Sequence, residues 1–313
     1  MLSRIADSLY WMSRYMERAD SMLRMIRTNY IISFDNIETG FPALQPSLEV
    51  FTKLEGEKLE ILQNDTPASL LYLLTDSGNI NSLKVILTRA RENARGAQDH
   101  ITREVWERMN GLYHLINNPD MNALLMGQEA LNTLDKLSTA RELYSGVIDS
   151  TMPRGQGWNF MNAGKYVERS ILTLECSNFF FKHIEFDLKN EQDILYWRSL
   201  LLALSGYELY LKANRTSQHN ANVTEQILFN GNFPRSLYYS LARIGRYLES
   251  ITNANPVEGS SHLLRSFNRL KSSVQFAELA IIEREGLADF LKSLHLQLNG
   301  FAQLIGNTYF SYS

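Results

Sequence analysis

The sequence predicts an all-α chain, a multi-helix bundle whose two halves arise from an internal duplication and pack about a pseudo-twofold axis. Three observations predict it. Apolar residues recur in alternating steps of three and four through most of the chain, and no alternating strand run is bounded by hairpin turns. All seven prolines (Pro42, Pro46, Pro67, Pro119, Pro153, Pro234 and Pro256) fall between the periodic segments. This matters because proline inside a helix costs about 3 kcal/mol. Finally, one five-residue pattern occurs three times: small residue, Arg or Lys, Tyr, apolar, Glu. It reads Ser13-Arg14-Tyr15-Met16-Glu17, Gly164-Lys165-Tyr166-Val167-Glu168 and Gly245-Arg246-Tyr247-Leu248-Glu249.

Taken in order, the first helix spans 3–33, where Ile5, Leu9, Met12, Met16, Ala19, Leu23 and Ile26 form one stripe at 100° per residue. The next spans 47–62, after Pro46. Thr66 and Pro67 read as an N-cap followed by proline at the first helical position, which starts a helix over 67–75. Periodicity then predicts helices over 81–97, 100–117 and 120–150, the second and third separated near Pro119. Beyond the break at 152–157 come 157–184, carrying Phe160, Ala163, Val167 and Leu174, and then 190–213, the most apolar stretch. The remaining helices are 222–229, 234–253 with the stripe Leu237, Leu241, Ile244, Leu248 and Ile251, then 258–283 and 286–306.

The duplication rests on matched offsets. Lys165 follows Arg14 by 151 residues. Ser82-Leu83 with Leu87 and Arg89 answers Ser236-Leu237 with Leu241 and Arg243, each stretch preceded by a Gly-Asn. Met109-Asn110 answers Phe267-Asn268 at a slightly larger offset, the drift that small loop insertions produce. The expectation is a single all-helical domain over 1–313, with one half at 1–152, the other at 157–313 and the crossing at Met152-Pro153-Arg154-Gly155-Gln156-Gly157. A period this long is not that of a stacked solenoid.

Within each pattern the cation and the Glu are three residues apart and meet on one helix face, turned away from the apolar stripe. The plainest reading is a solvated ion pair of roughly 0.2–0.5 kcal/mol. A tyrosine repeated beside the charge argues for more. Arg14, Glu17, Arg18, Lys165, Glu168, Arg169, Arg246 and Glu249, joined by Arg91, Glu92 and Arg95 in the segment 90–96, are the candidate lining of one polar cleft. Arginines there would clamp a carboxylate or phosphate. A buried ion-pair network that only fixes helix register is the competing reading. Glu208, set in the most apolar stretch, is expected to be buried against an arginine, because an unpaired buried carboxylate is expensive.

Composition narrows the classes. A net charge of −3 lacks the basic excess of a nucleic-acid binder and offers no polybasic surface for anionic lipid. The start shows no apolar signal region, and the run from Leu200 to Leu211 is too short to span a bilayer. The single cysteine, Cys176, suits a reducing cytosol and reads as a buried structural thiol. The expectation is a soluble, cytoplasmic protein with no membrane or nucleic-acid partner. No metal is expected either, since no histidine has Glu three residues before it and no His-Glu-x-x-His occurs. Phosphate-loop and nucleophile-elbow motifs are missing as well, so no cofactor is expected.

The opening Leu2 to Trp11, running into Arg14 to Asp20, resembles the alpha-E family, all-helical bacterial proteins named for a recurring Glu-Arg motif. So do Ala90 to Arg95, Trp106-Glu107, Gly206 to Glu208 and Phe233 to Ser236, and the resemblance covers essentially the whole chain. It carries the Glu-Arg positions onto Glu17-Arg18 and Glu168-Arg169. Ser250 departs from it after Glu249, and Lys165 keeps the charge of an arginine without its planar fork. The resemblance implies companionship with an ATP-grasp-type ligase and a transglutaminase-like protein, in clusters that make or attach peptide-like products.

Three functions follow as expectations. The first is a non-catalytic helical partner or substrate-presenting module of an ATP-grasp-dependent peptide ligation or modification system. The second is a cofactor-independent enzyme using the Arg/Glu cleft for acid–base or acyl-transfer chemistry. The third is a structural scaffold, with homo-oligomerisation left open.

Overall fold

The computed structural model describes residues 1–34, 41–215 and 217–310; the last three residues of the second predicted half, 311–313, lie outside the described residues. Among the described residues the chain is all-helical, with sixteen α-helices, one short 3-10 turn and no strand. In order they are α1 (Ser3–Ile32), α2 (Gln45–Thr52), α3 (Glu57–Gln63), α4 (Thr66–Leu74), α5 (Leu83–Gly96), α6 (Arg103–Ile116), α7 (Met121–Met126) and α8 (Ala130–Thr151). Then follow α9 (Gln156–His183), α10 (Ile194–Ala203), α11 (Tyr207–Ala213), α12 (His219–Leu228), α13 (Leu237–Ala254), α14 (Ser260–Gln275), α15 (Leu279–Glu285) and α16 (Leu287–Tyr309).

Side-chain caps fix several starts. Ser82, Thr102 and Ser236 each accept a hydrogen bond from the backbone amide three residues on, at 3.4, 3.4 and 3.0 Å. Such a cap satisfies one of the amides that the first helical turn leaves without a partner. At α4 the cap is Asp65 rather than Thr66, with Ala68 N donating to Oδ1 at 2.9 Å, so Pro67 sits one place further into the helix than the sequence suggests.

Four predicted helices divide in two. The stretch 47–62 breaks between α2 and α3, where Lys53 adopts a left-handed backbone (φ 55°) and Gly56 also has positive φ. At 120–150 the extended Gly127 separates α7 from α8. The stretch 190–213 turns at Ser205 (φ 55°), closed by Gly206 N donating to Leu201 O at 2.7 Å. This is the double-bonded left-handed stop that commonly ends helices. Finally, 258–283 breaks between Gln275 and Leu279, with Phe276 left largely exposed.

The chain divides into two compact units. The N-terminal unit is Trp11–Pro153; the C-terminal unit is Arg154–Ser313 together with Met1–Tyr10. In the N-terminal unit α5 packs on α6, α6 on α8, α7 on α8 and α4 on α5. In the C-terminal unit α9 and α13 form the most extensive pair, α13 packs on α14, α14 on α16, α15 on α16 and α12 on α13.

The predicted stripes are the core. Leu9, Met12, Met16, Ala19, Leu23 and Ile26 are buried, as are Leu237, Leu241, Ile244, Leu248 and Ile251; Ile5, in the first turn of α1, is half-buried. Burial goes further than the stripes. On α1, Ser13, Arg14, Glu17 and Asp20 are buried too, and α9 is buried at nearly every position from Phe160 to Phe181. The solvated-pair reading therefore fails for the first two copies of the pattern and describes only the third, where Arg246 and Glu249 are exposed.

Candidate functional site

The small residue that opens the pattern has a packing reason. An added Cβ on Gly164 would stand 2.4 Å from the Tyr10 carbonyl oxygen, so α9 and the first turns of α1 approach backbone to backbone at a distance only glycine allows. At Gly245 the same atom would come within 3.1 Å of the Phe267 ring. In the C-terminal unit the packing of α9 on α13 brings the second and third copies together. The rings of Tyr166 on α9 and Tyr247 on α13 lie stacked, 6.1 Å apart at 15°, and Tyr239 stands 6.3 Å from Tyr166.

Cations surround these rings. The Arg169 guanidinium lies 5.0 Å from the Tyr166 centroid and the Lys165 ammonium 5.6 Å, while Arg243 lies 5.3 Å from the Tyr239 centroid. Arg243 Nε donates to the Tyr239 hydroxyl at 3.1 Å. Arg169 Nη1 also donates to the Pro234 carbonyl at 3.2 Å, which ties the Glu-Arg arginine of α9 to the entry of α13. Burial holds the Tyr166 and Tyr247 phenols above their ordinary range, with Arg169 and Arg243 respectively pulling them back in part. Both hydroxyls thus stay protonated and able to donate at neutral pH.

In the N-terminal unit the first copy is built differently. Glu17 and Asp20 lie one turn apart on α1, 1% and 5% exposed, and both meet Arg141 of α8. Arg141 Nη1 is 2.9 Å from Asp20 Oδ1, and Nη2 is 3.6 Å from Glu17 Oε2. Arg24 pairs with Asp20 from the next turn of α1, and Arg27 reaches Asp135 on α8. Arg141 occupies a place in the α8 stripe between Leu137 and Tyr144 that an apolar residue would otherwise fill. Along that strip Ser138 Oγ, Arg141 Nε and Tyr144 Oη are buried and make no hydrogen bond among the described residues, and burial drives the Tyr144 phenol far above its ordinary range.

The chain matches the Alpha-E family, described as a predicted alpha-helical domain with a conserved ER motif, over residues 1–310. The chain belongs to the Alpha-E family. Its relatives include an uncharacterized protein of Mycobacterium bovis, 24% identical over 335 residues, which cover 97% of this chain and 36% of the relative. Uncharacterized proteins of Mycobacterium tuberculosis match at 24% in one strain and 23% in another, with the same coverage. The chain thus spans about a third of the length of the curated relatives it matches. No solved structure matches it.

Set against this Alpha-E motif, the predicted cleft residues fall into both units. Arg14, Glu17, Arg18, Arg91, Glu92 and Arg95 belong to the N-terminal unit; Lys165, Glu168, Arg169, Arg246 and Glu249 belong to the C-terminal unit. Glu168 is fully buried and Arg169 and Arg14 nearly so, the Arg14 guanidinium lying 4.5 Å from the Trp11 ring centroid. Arg18 donates to Asn81 Oδ1 at 3.2 Å. Arg91 stacks on Tyr113 (4.6 Å) and Trp106 (5.6 Å), donates from Nε to Asn110 at 2.7 Å, and meets the exposed Glu92 at 3.5 Å. Arg95 is exposed at the end of α5.

Glu208 is a correction: it is exposed, not buried against an arginine, because the turn at Ser205 ends the apolar helix and puts Glu208 on the outer side of α11. Cys176 is buried and its thiol is pushed well above the ordinary range by desolvation, with Glu175 adding to the shift, so it is poorly suited to act as a thiolate. Among the described residues no three His, Cys, Asp or Glu side chains gather where a metal ion could be held. Nor is any described helix long and apolar enough to cross a membrane. Sequence reasoning missed Arg141, Asp20, Tyr239 and Arg243 as site members. A charged residue inside the α8 stripe was the available signal for Arg141.

Proposed function

We propose that this Alpha-E chain is a non-catalytic helical partner, or substrate-presenting module, of an ATP-grasp-dependent peptide ligation or modification system. The observation that carries this reading is coverage. The mycobacterial relatives match nearly all of this chain with about a third of their own length, so there the same helical domain is joined to other sequence. A helical domain that is joined to other sequence in its relatives is suited to work beside a second protein or domain. The enzyme alternative has less support, because a general acid or base must reach its substrate's proton. Glu17 and Asp20 are closed off and committed to Arg141. The reading includes a cytoplasmic location and a transglutaminase-like protein as a further companion, with homo-oligomerisation left open. Co-purification of the chain with an ATP-grasp-type ligase of the same organism tests it: a stoichiometric complex is expected, and separate elution at micromolar concentration would overturn it.

We also infer that the chain arose by duplication of an eight-helix unit, with α1–α8 answering α9–α16. The helix order supports this. The packing partners α5–α6, α6–α8, α7–α8 and α4–α5 recur as α13–α14, α14–α16, α15–α16 and α12–α13. Ser82 and Ser236 cap equivalent helices. The reading includes a pseudo-twofold axis relating the halves. An experimental structure whose two series do not superpose in order and direction would reject it.

A further inference from the structure

We propose that the face formed by Tyr166, Tyr239, Tyr247 and Arg243 in the C-terminal unit is a binding site for an oxyanion group, a carboxylate or phosphoryl, carried by a small ligand. The argument begins with Arg243. It is half-buried on α13 and makes its hydrogen bond through Nε, to the Tyr239 hydroxyl. That bond fixes the plane of the guanidinium and leaves both Nη groups for a bidentate acceptor. Among the described residues no carboxylate pairs with Arg243, and those charged groups that act on Tyr166 and Tyr247 are all arginines: Arg154, Arg169, Arg243 and Arg246.

The tyrosines supply the remaining donors. Tyr239 accepts from Arg243 with its oxygen, so its own proton is directed elsewhere. Tyr166 and Tyr247 keep their protons, because burial opposes ionisation. A cationic fork and neutral hydroxyls, with no acidic group acting on them, attract an anion and repel a cation or an amine. The stacked rings of Tyr166 and Tyr247 add an apolar wall for the body of the ligand. Lys165 and Arg246, the second-position cations of two pattern copies, stand at the margin of the same face. This assignment does not depend on the ligase reading, since it concerns the chain alone.

The test uses the full chain with 13C-labelled tyrosine rings, titrated separately with inorganic pyrophosphate and with glutarate. Saturable shifts of the Tyr166, Tyr239 and Tyr247 ring signals are expected with at least one probe, and the probe that binds names the oxyanion. Arg243→Gln should weaken binding by about tenfold. Tyr239→Phe, which keeps the ring and removes only the hydroxyl, should weaken it by a smaller factor. Arg265→Gln, on an exposed position of α14, should leave it unchanged. Absence of saturation with both probes overturns the site, and so does binding that Arg265→Gln weakens as much as Arg243→Gln and Tyr239→Phe do.

Discussion

The Arg141 guanidinium of α8 is held 2.9 Å from the Asp20 carboxylate of α1, in a setting that leaves both side chains nearly without solvent. Glu17 shares the same arginine, so one cation from α8 fixes two turns of α1. Replacing Arg141 by Met keeps the bulk and removes the α8 cation that two buried carboxylates share. Breaking a buried pair in this way costs about 3–5 kcal/mol. Chemical denaturation should show that loss, whereas a change below about 1 kcal/mol would mean that solvent compensates the charges.

Gly164 tests the close approach of α9 to α1. Gly164→Ala places a methyl 2.4 Å from the Tyr10 carbonyl oxygen, against backbone that cannot swing aside. A loss of about 1–3 kcal/mol is expected. Gly111→Ala is the control: it lies mid-helix in α6 with nothing within 4 Å of the added carbon. It should raise stability by about 0.5–1 kcal/mol.

The core assignment is tested by Leu9→Ala and Leu241→Ala, both wholly buried. Each should cost about 2–5 kcal/mol as a large-to-small truncation. Unchanged melting for either would put the wrong helix face in the core.

Alkaline titration separates the tyrosines. Tyr144, Tyr166, Tyr196, Tyr210, Tyr247 and Tyr309 all hold their protons more tightly than a free phenol, first of all because they are desolvated. A group whose folded pKa is raised contributes stability that is complete below its unfolded pKa, here 10.0, and lost as pH climbs through the folded value. Tyrosinate absorbance should therefore appear in two steps, the later one accompanied by unfolding. A single step at the free-phenol value would contradict the burial of this group.

The helical class and the core stripes were legible because a period of 3.6 residues and the placement of proline are local signals. The four helix divisions were less so. Gly56 and Gly127 mark two of them, but Ser205 takes a left-handed backbone that its side chain does not announce, and Phe276 offers no breaker at all. The repeated Tyr pattern pointed to Tyr166 and Tyr247, and the structure stacks the two rings on each other. The burial of Glu17 and Glu168 was not legible from helix-face geometry. A face turned from one apolar stripe is solvated only when nothing else packs on it, and α1 and α9 are enclosed on more than one side.

The central claim is that the chain works as a helical partner of an ATP-grasp-type ligase, and the rate of ATP consumption by that ligase as the chain is added tests it most directly. A saturable dependence on the chain, reaching its plateau at a fixed ratio of the two proteins, is the predicted result. A rate that stays flat across the titration, with the ligase active on its own, would contradict it.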